Sequence, residues 1–174
     1  MPRNTEVTKA TLSVAPDATA AEQALDDLIA TREREGNDLE GFLQQRIDSI
    51  RELVATLREK MPQILIAQRQ SLHDKLQDLQ VELEPTRLEQ EIALLAQKAD
   101  VDEELDRLDS HLGEVERVLK ASGQKGRRLD FLMQELNREA NTLSSKSIVV
   151  ESTRGAVEMK VLIEQMREQI QNIE

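Results

Sequence analysis

Cysteine, tryptophan and tyrosine are absent from the 174 residues, and phenylalanine occurs only at Phe42 and Phe131. Without cysteine there is no disulfide scaffold, no thiol nucleophile, no Cys-rich zinc site and no iron–sulfur ligation, which fits a reducing compartment. Without aromatics, the apolar face must come from Leu, Ile, Val, Ala and Met. These predict a thin core between helices and leave little to stack on single-stranded bases. No apolar run is long enough to span a membrane, and the opening MPRNTEVTKATLSVAPDATA lacks the apolar centre of a secretory signal; a cytoplasmic location is expected. Gly-rich phosphate loops and a G-x-S-x-G elbow are missing. The helical di-iron pattern needs a glutamate three residues before each histidine; His73 has Gln70 there and His111 has Leu108.

What the chain does have is charge and helical period. Its net charge of −11 argues against broad nucleic-acid binding. The charge is uneven, however: from Lys120 to Lys146 six basic residues face three acidic ones, so this island is +3 and the remainder −14. Such an island is a candidate anion site, and equally a fluctuation on a solvated surface.

Apolar residues recur at steps of three and four throughout, which predicts an all-α protein. A stripe at Leu39, Leu43, Ile47, Ile50, Val54, Leu57 and Met61 is followed by Pro62, expected to kink or end the helix. Leu65, Leu72, Leu76, Leu79 and Leu83 form a second stretch, broken at Glu84-Pro85-Thr86. A third, from about Thr86 to Ala121, carries Leu88, Ile92, Leu95 and Ala99. It then carries Val101, Leu105, Leu108, Leu112, Val115 and Leu119, with Asp100 and Glu103 marking a restart between the two sets. After the loop Ser122–Gly126 comes a helix over about 127–142, with Leu129, Leu132, Met133, Leu136 and Ala140 on one face. Residues 144–153 read as a connector, and the last helix carries Ala156, Met159, Ile163, Met166, Ile170 and Ile173. The organisation expected is a disordered tail over 1–20, a long helical arm over 21–85 forming a coiled-coil-like hairpin, and a compact C-terminal helical bundle over 86–174. Most of these apolar positions are core and seam.

Glu104, Arg107 and His111 share one side of the third helix. On the fourth, at ~100° per residue, one polar flank holds Arg128, Glu135 and Glu139, and the other holds Asp130, Asn137 and Asn141. A hairpin through the glycine loop makes the flanks converge. Glu104, His111, Glu135 and Glu139 are then candidate ligands for a divalent cation, with Mg²⁺ or Mn²⁺ suited to oxygens plus one imidazole. The bland alternative is surface ion pairing at helical spacing.

The strings Arg87-Leu88-Glu89-Gln90-Glu91, Glu103-Glu104-Leu105-Asp106-Arg107-Leu108 with His111, Gly126 through Thr142, Ser145-Lys146 and Glu158 through Glu174 resemble the YicC/YloC family of bacterial endoribonucleases. The resemblance covers the chain from about Ala24 onward. It implies metal-dependent cleavage of single-stranded RNA, small regulatory RNAs among the substrates, and assembly into a homo-oligomer that encloses RNA. Glu104, His111, Glu135 and Glu139 then become metal ligands or acid–base groups. Arg107, Arg127, Arg128, Arg138 and Lys146 become phosphate contacts, and Asn141 a contact to phosphate or ribose. Family members carry a mixed α/β domain before the helical region, and the first twenty residues do not resemble it; a short form is expected, whose activity depends on whether that domain is needed. The rival readings are a non-enzymatic helical adaptor, working with a ribonuclease as partner protein, and a passive RNA-binding module.

Overall fold

The computed structural model describes residues 18–78, 85–98, 100–147 and 149–171. The expected tail, apart from its last residues, and the side chains of Leu76, Leu79, Leu83, Leu88, Leu95 and Ile173 lie outside what is described. Among the described residues every regular element is a helix: α1 (Ala18–Asp78), α2 (Pro85–Lys98), α3 (Asp102–Lys120), α4 (Gly126–Lys146) and α5 (Val150–Ile170). The all-α expectation holds, with a long first helix and a helical bundle after it. The chain divides into two units at Asp38 and Leu39. That division falls inside the stretch read from sequence as one arm, because the α1 residues from Leu43 to Met61 belong to the bundle core.

In the first unit the described residues are helical and solvent-exposed. Leu25, Leu28 and Ile29 lie on one face with water against them.

The second unit is built by the stripes. Leu43, Ile47, Ile50, Val54, Leu57 and Met61 of α1 are buried together with Leu105, Leu108, Leu112 and Val115 of α3. Leu129, Leu132, Met133 and Leu136 of α4 and Met159, Ile163, Met166 and Ile170 of α5 complete the core. Ion pairs and hydrogen bonds fix the directions. Arg51 meets Glu116 while Arg58 meets Asp106, so α1 runs antiparallel to α3. Arg46 bonds Gln165 while Leu57 packs on Gly155, so α1 also runs antiparallel to α5. Glu104–Lys146 and Glu114–Arg128 make α3 and α4 antiparallel. The result is an up-down-up-down four-helix bundle with α3 and α5 each touching α1 and α4. At Gly155 a side chain would crowd α1: an added Cβ would sit 3.2 Å from Leu57 Cδ1.

Two boundaries differ from the sequence reading, and one agrees with it. Helix α1 continues through Pro62 to Asp78. Between α2 and α3 the chain restarts where expected, the Asp100 carboxylate accepting from the Asp102 N–H at 3.2 Å. The connector shrinks to residues 147–149, because α4 extends to Lys146 and α5 begins at Val150. Serine and threonine hydroxyls here donate to their own helices: Ser145 to the Thr142 carbonyl at 2.8 Å, and Thr153 to the Val149 carbonyl at 3.0 Å. Polar residues that look like loop are therefore satisfied inside helix. The α3–α4 turn uses Gly123 at φ 95°, a left-handed value that costs glycine nothing.

Candidate active-site seam and nucleic-acid interface

The α3–α4 seam follows from the two amphipathic helices and their short turn. With the apolar stripes turned inward, the flanks meet in an ordered ladder. At one end Lys146 lies 2.9 Å from the Glu104 carboxylate and also donates to the Asp100 carbonyl at 2.9 Å. One turn along, Arg107 sits 3.5 Å from Glu139 and bonds Glu103 at 2.6 Å. A further turn along both helices brings His111 level with Glu135. Beyond them Arg128 reaches Glu114 at 3.2 Å, which also pairs with Arg117.

Glu104 and Glu139 are buried, at 3% and 4% exposure. A buried carboxylate must be paired or hydrogen-bonded to stay charged, and the Lys146 and Arg107 cations fill that role. His111 and Glu135 are half-buried, and neither forms an ion pair or hydrogen bond through its side chain among the described residues. Among the described residues, no three His, Asp or Glu side chains gather closely enough to hold a metal ion.

The six candidate RNA contacts fall into two sets. Arg107, Arg128 and Lys146 belong to the seam ladder, their charges already facing glutamates. Arg127, Arg138 and Asn141 point outward from α4, and Arg127 and Arg138 have no ion pair among the described residues. They share that outer strip with Phe131, Gln134 and Ser145. Each carboxylate of α4 lies on a flank or inside: Asp130 accepts from Gln134 at 2.8 Å and faces Arg167 of α5, Glu135 is half-buried and Glu139 is buried. The outermost strip of α4 is thus cationic or neutral, with the partly exposed Asp130 at its edge. Sequence spacing marked both flanks of α4 but passed over this third strip. It was legible at steps of four, three, four, three and four from Arg127 to Ser145.

The strongest ion pair of the bundle lies elsewhere. Arg51 grips Glu116 with two hydrogen bonds, 2.6 and 3.0 Å, and Gln44 adds a third at 2.9 Å. The Arg51 bonds, aided by Gln44, hold the Glu116 carboxyl well below the ordinary range, at about 2. This clamp ties α1 to the C-terminal half of α3.

Residues 57–174 match the family described as endoribonuclease YicC-like, C-terminal. The chain is 55% identical over 156 residues to a probable endoribonuclease YicC of Haemophilus influenzae, covering 90% of this chain and 54% of that protein. It is 35% identical over 158 residues to a probable endoribonuclease YicC of Clostridioides difficile, covering 89% and 54% respectively. The chain therefore spans about half the length of the curated relatives it matches.

Proposed function

The chain belongs to the YicC-like endoribonuclease family, and on that premise we propose that it cleaves single-stranded RNA internally, small regulatory RNAs included, at the α3–α4 seam. The observation that carries the reading is the outer face of α4. In a chain of net charge −11, a helix face whose partly exposed carboxylate, Asp130, is engaged by Gln134 and Arg167, and whose Arg127 and Arg138 have no ion pair among the described residues, is where phosphates meet least repulsion. The seam lies one flank away.

At the seam His111 and Glu135 take the proton-transfer roles, imidazole being the side chain that gains and loses a proton near neutral pH. Arg107 and Lys146, held in place by Glu139 and Glu104, stabilise negative charge gathering on the phosphoryl oxygens. Attack by the ribose 2′-hydroxyl leaves a 2′,3′-cyclic phosphate, and attack by water leaves a 5′-phosphate. The end groups of the products distinguish the two routes.

Dependence on Mn²⁺ or Mg²⁺ is part of the proposal, since a bound ion would polarise the phosphate and acidify a water. Glu104, His111, Glu135 and Glu139 are a poor fit to a ready-made ion site, because Lys146 and Arg107 already face two of the carboxylates. No step above is routed through an ion. Assembly with further copies of the chain is supported by Leu25, Leu28 and Ile29, an apolar face left in water in the first unit. A cytoplasmic location accompanies an RNA substrate.

The test is incubation with end-labelled single-stranded RNA in Mn²⁺, in Mg²⁺ and in EDTA, for the wild type and for His111→Asn and Glu135→Gln. Internal cleavage that both variants lose, at unchanged helical circular dichroism, is the expected result. Cleavage surviving both substitutions removes the seam from the chemistry. No cleavage by a folded wild type, together with capture of a ribonuclease, points to the adaptor reading.

A further inference from the structure

Phe131 is one of two aromatic residues in the chain, and it is 47% exposed. Its position is not an accident of a crowded core. The adjacent Leu132 and Met133 fill the interior, and the ring sits instead on the outer strip of α4 between Arg127, one turn before it, and Arg138, two turns after it. At ~100° per residue the three lie within about 40° of one another on the helix. With a rise of 1.5 Å per residue, the arginines stand roughly 6 Å and 10 Å from the ring along the axis. The Arg128 guanidinium, which also pairs with Glu114, lies over one face of the ring at 5.6 Å from its centroid and leaves the other face to a base. Two carboxylates flank the strip: Asp130 accepts from Gln134 and faces Arg167, and Glu135, one turn after the ring, is half-buried.

An apolar ring left wet between two cations that have no ion pair among the described residues is the local chemistry of a stacking site on a charged track. A protein surface would need an apolar contact and two carboxylates at the right spacing, whereas any single-stranded polynucleotide carries bases and evenly spaced phosphates that satisfy both. Duplex RNA does not, because its bases are already stacked and paired.

We propose that Phe131 is a base-stacking platform: one unpaired nucleobase lies on the ring, and phosphates of the same strand bond to Arg127 and Arg138. This rests on the single-stranded RNA reading above and adds to it the residue that selects single strand over duplex. Stacking is tolerant of base identity, since every base offers a π-face. The platform therefore selects for strandedness rather than for sequence.

The absence of tryptophan and tyrosine makes the test direct. In Phe131→Trp the new indole is the only strong fluorophore in the chain. Titration with a single-stranded oligoribonucleotide should quench its emission, while inorganic polyphosphate, which can occupy the arginines but cannot stack, should not. In parallel, Phe131→Leu keeps the apolar volume and removes the ring. It should weaken binding of the single strand on the order of ten-fold or more and leave duplex and polyphosphate binding unchanged. An unquenched indole with wild-type binding by Phe131→Leu, in a protein that still cleaves RNA, overturns the platform and leaves the nuclease reading standing. A wild type that neither binds nor cleaves RNA overturns both. Emission that changes with protein concentration in the absence of RNA places the ring in a contact between copies and overturns the platform alone.

Discussion

Substituting glutamine for Glu116 keeps the shape of the side chain and removes its charge from the Arg51–Glu116–Gln44 clamp. The carboxyl falls from an ordinary glutamate value of about 4.3 to about 2. At about 1.4 kcal/mol per pH unit that sets a ceiling of roughly 3 kcal/mol. Arg51 is 37% exposed and Glu116 22%, so water screens the pair and the contribution is discounted to about 1–2 kcal/mol. Glu116→Gln should lower the thermal midpoint at pH 7 by roughly 3–8 °C. The folded-state value is depressed, so the stabilisation is complete above the unfolded value. It is lost as pH falls from about 4.3 towards about 2. Denaturation of wild type and variant, followed by circular dichroism from pH 7 to pH 2.5, should show two curves that converge on the acid side. A gap that stays constant over that range would refute the reasoning, because a lost charge must stop mattering once the carboxyl is protonated.

Removing Lys146 as Lys146→Met should destabilise the bundle by about 2–4 kcal/mol in urea denaturation, since the buried Glu104 carboxyl loses its ion-pair partner; adding Glu104→Gln should restore part of the loss. Gly155→Val should cost about 1–3 kcal/mol through overpacking against Leu57, read as a lower denaturation midpoint. His111→Asn and Glu135→Gln should each lower the rate of RNA cleavage by about 10²-fold or more, with thermal midpoints near the wild type because neither side chain is paired.

The fold was legible wherever burial alone decides. Residues from Leu43 to Met61 and from Leu105 to Leu119 repeat at three and four, and the structure buries them. The residues 144–153 misled because serine and threonine favour loops on average, and the hydroxyl bonds that keep Ser145 and Thr153 inside helices depend on neighbours one turn away. Of the two outcomes read for Pro62, a kink or an end, the helix excludes the end: α1 continues through it to Asp78. At the candidate site, spacing identified the flanks that face one another. It could not say that Glu104 would take Lys146, or that Glu139 would face Arg107 while His111 and Glu135 stay unpaired. Partner choice depends on the vertical register of two helices, which a turn of a few residues sets and a helical wheel does not contain. Phe131 was discounted by a count of aromatics, where its place on the wheel carried the information.

The links between α3, α4 and α5 span only 121–125 and 147–149, while α1 reaches its partners across sequence separations of 48 to 119 residues. Short separations close with little entropy and long ones close late. On that argument the three C-terminal helices are expected to form first, with α1 docking last and detaching first. Native-state hydrogen exchange should accordingly find the amides of α1 between Leu43 and Met61 opening at lower free energy than those of α4. The proposed catalytic ladder lies entirely on the early-forming side of that divide, so the bundle can breathe along α1 without loosening the seam.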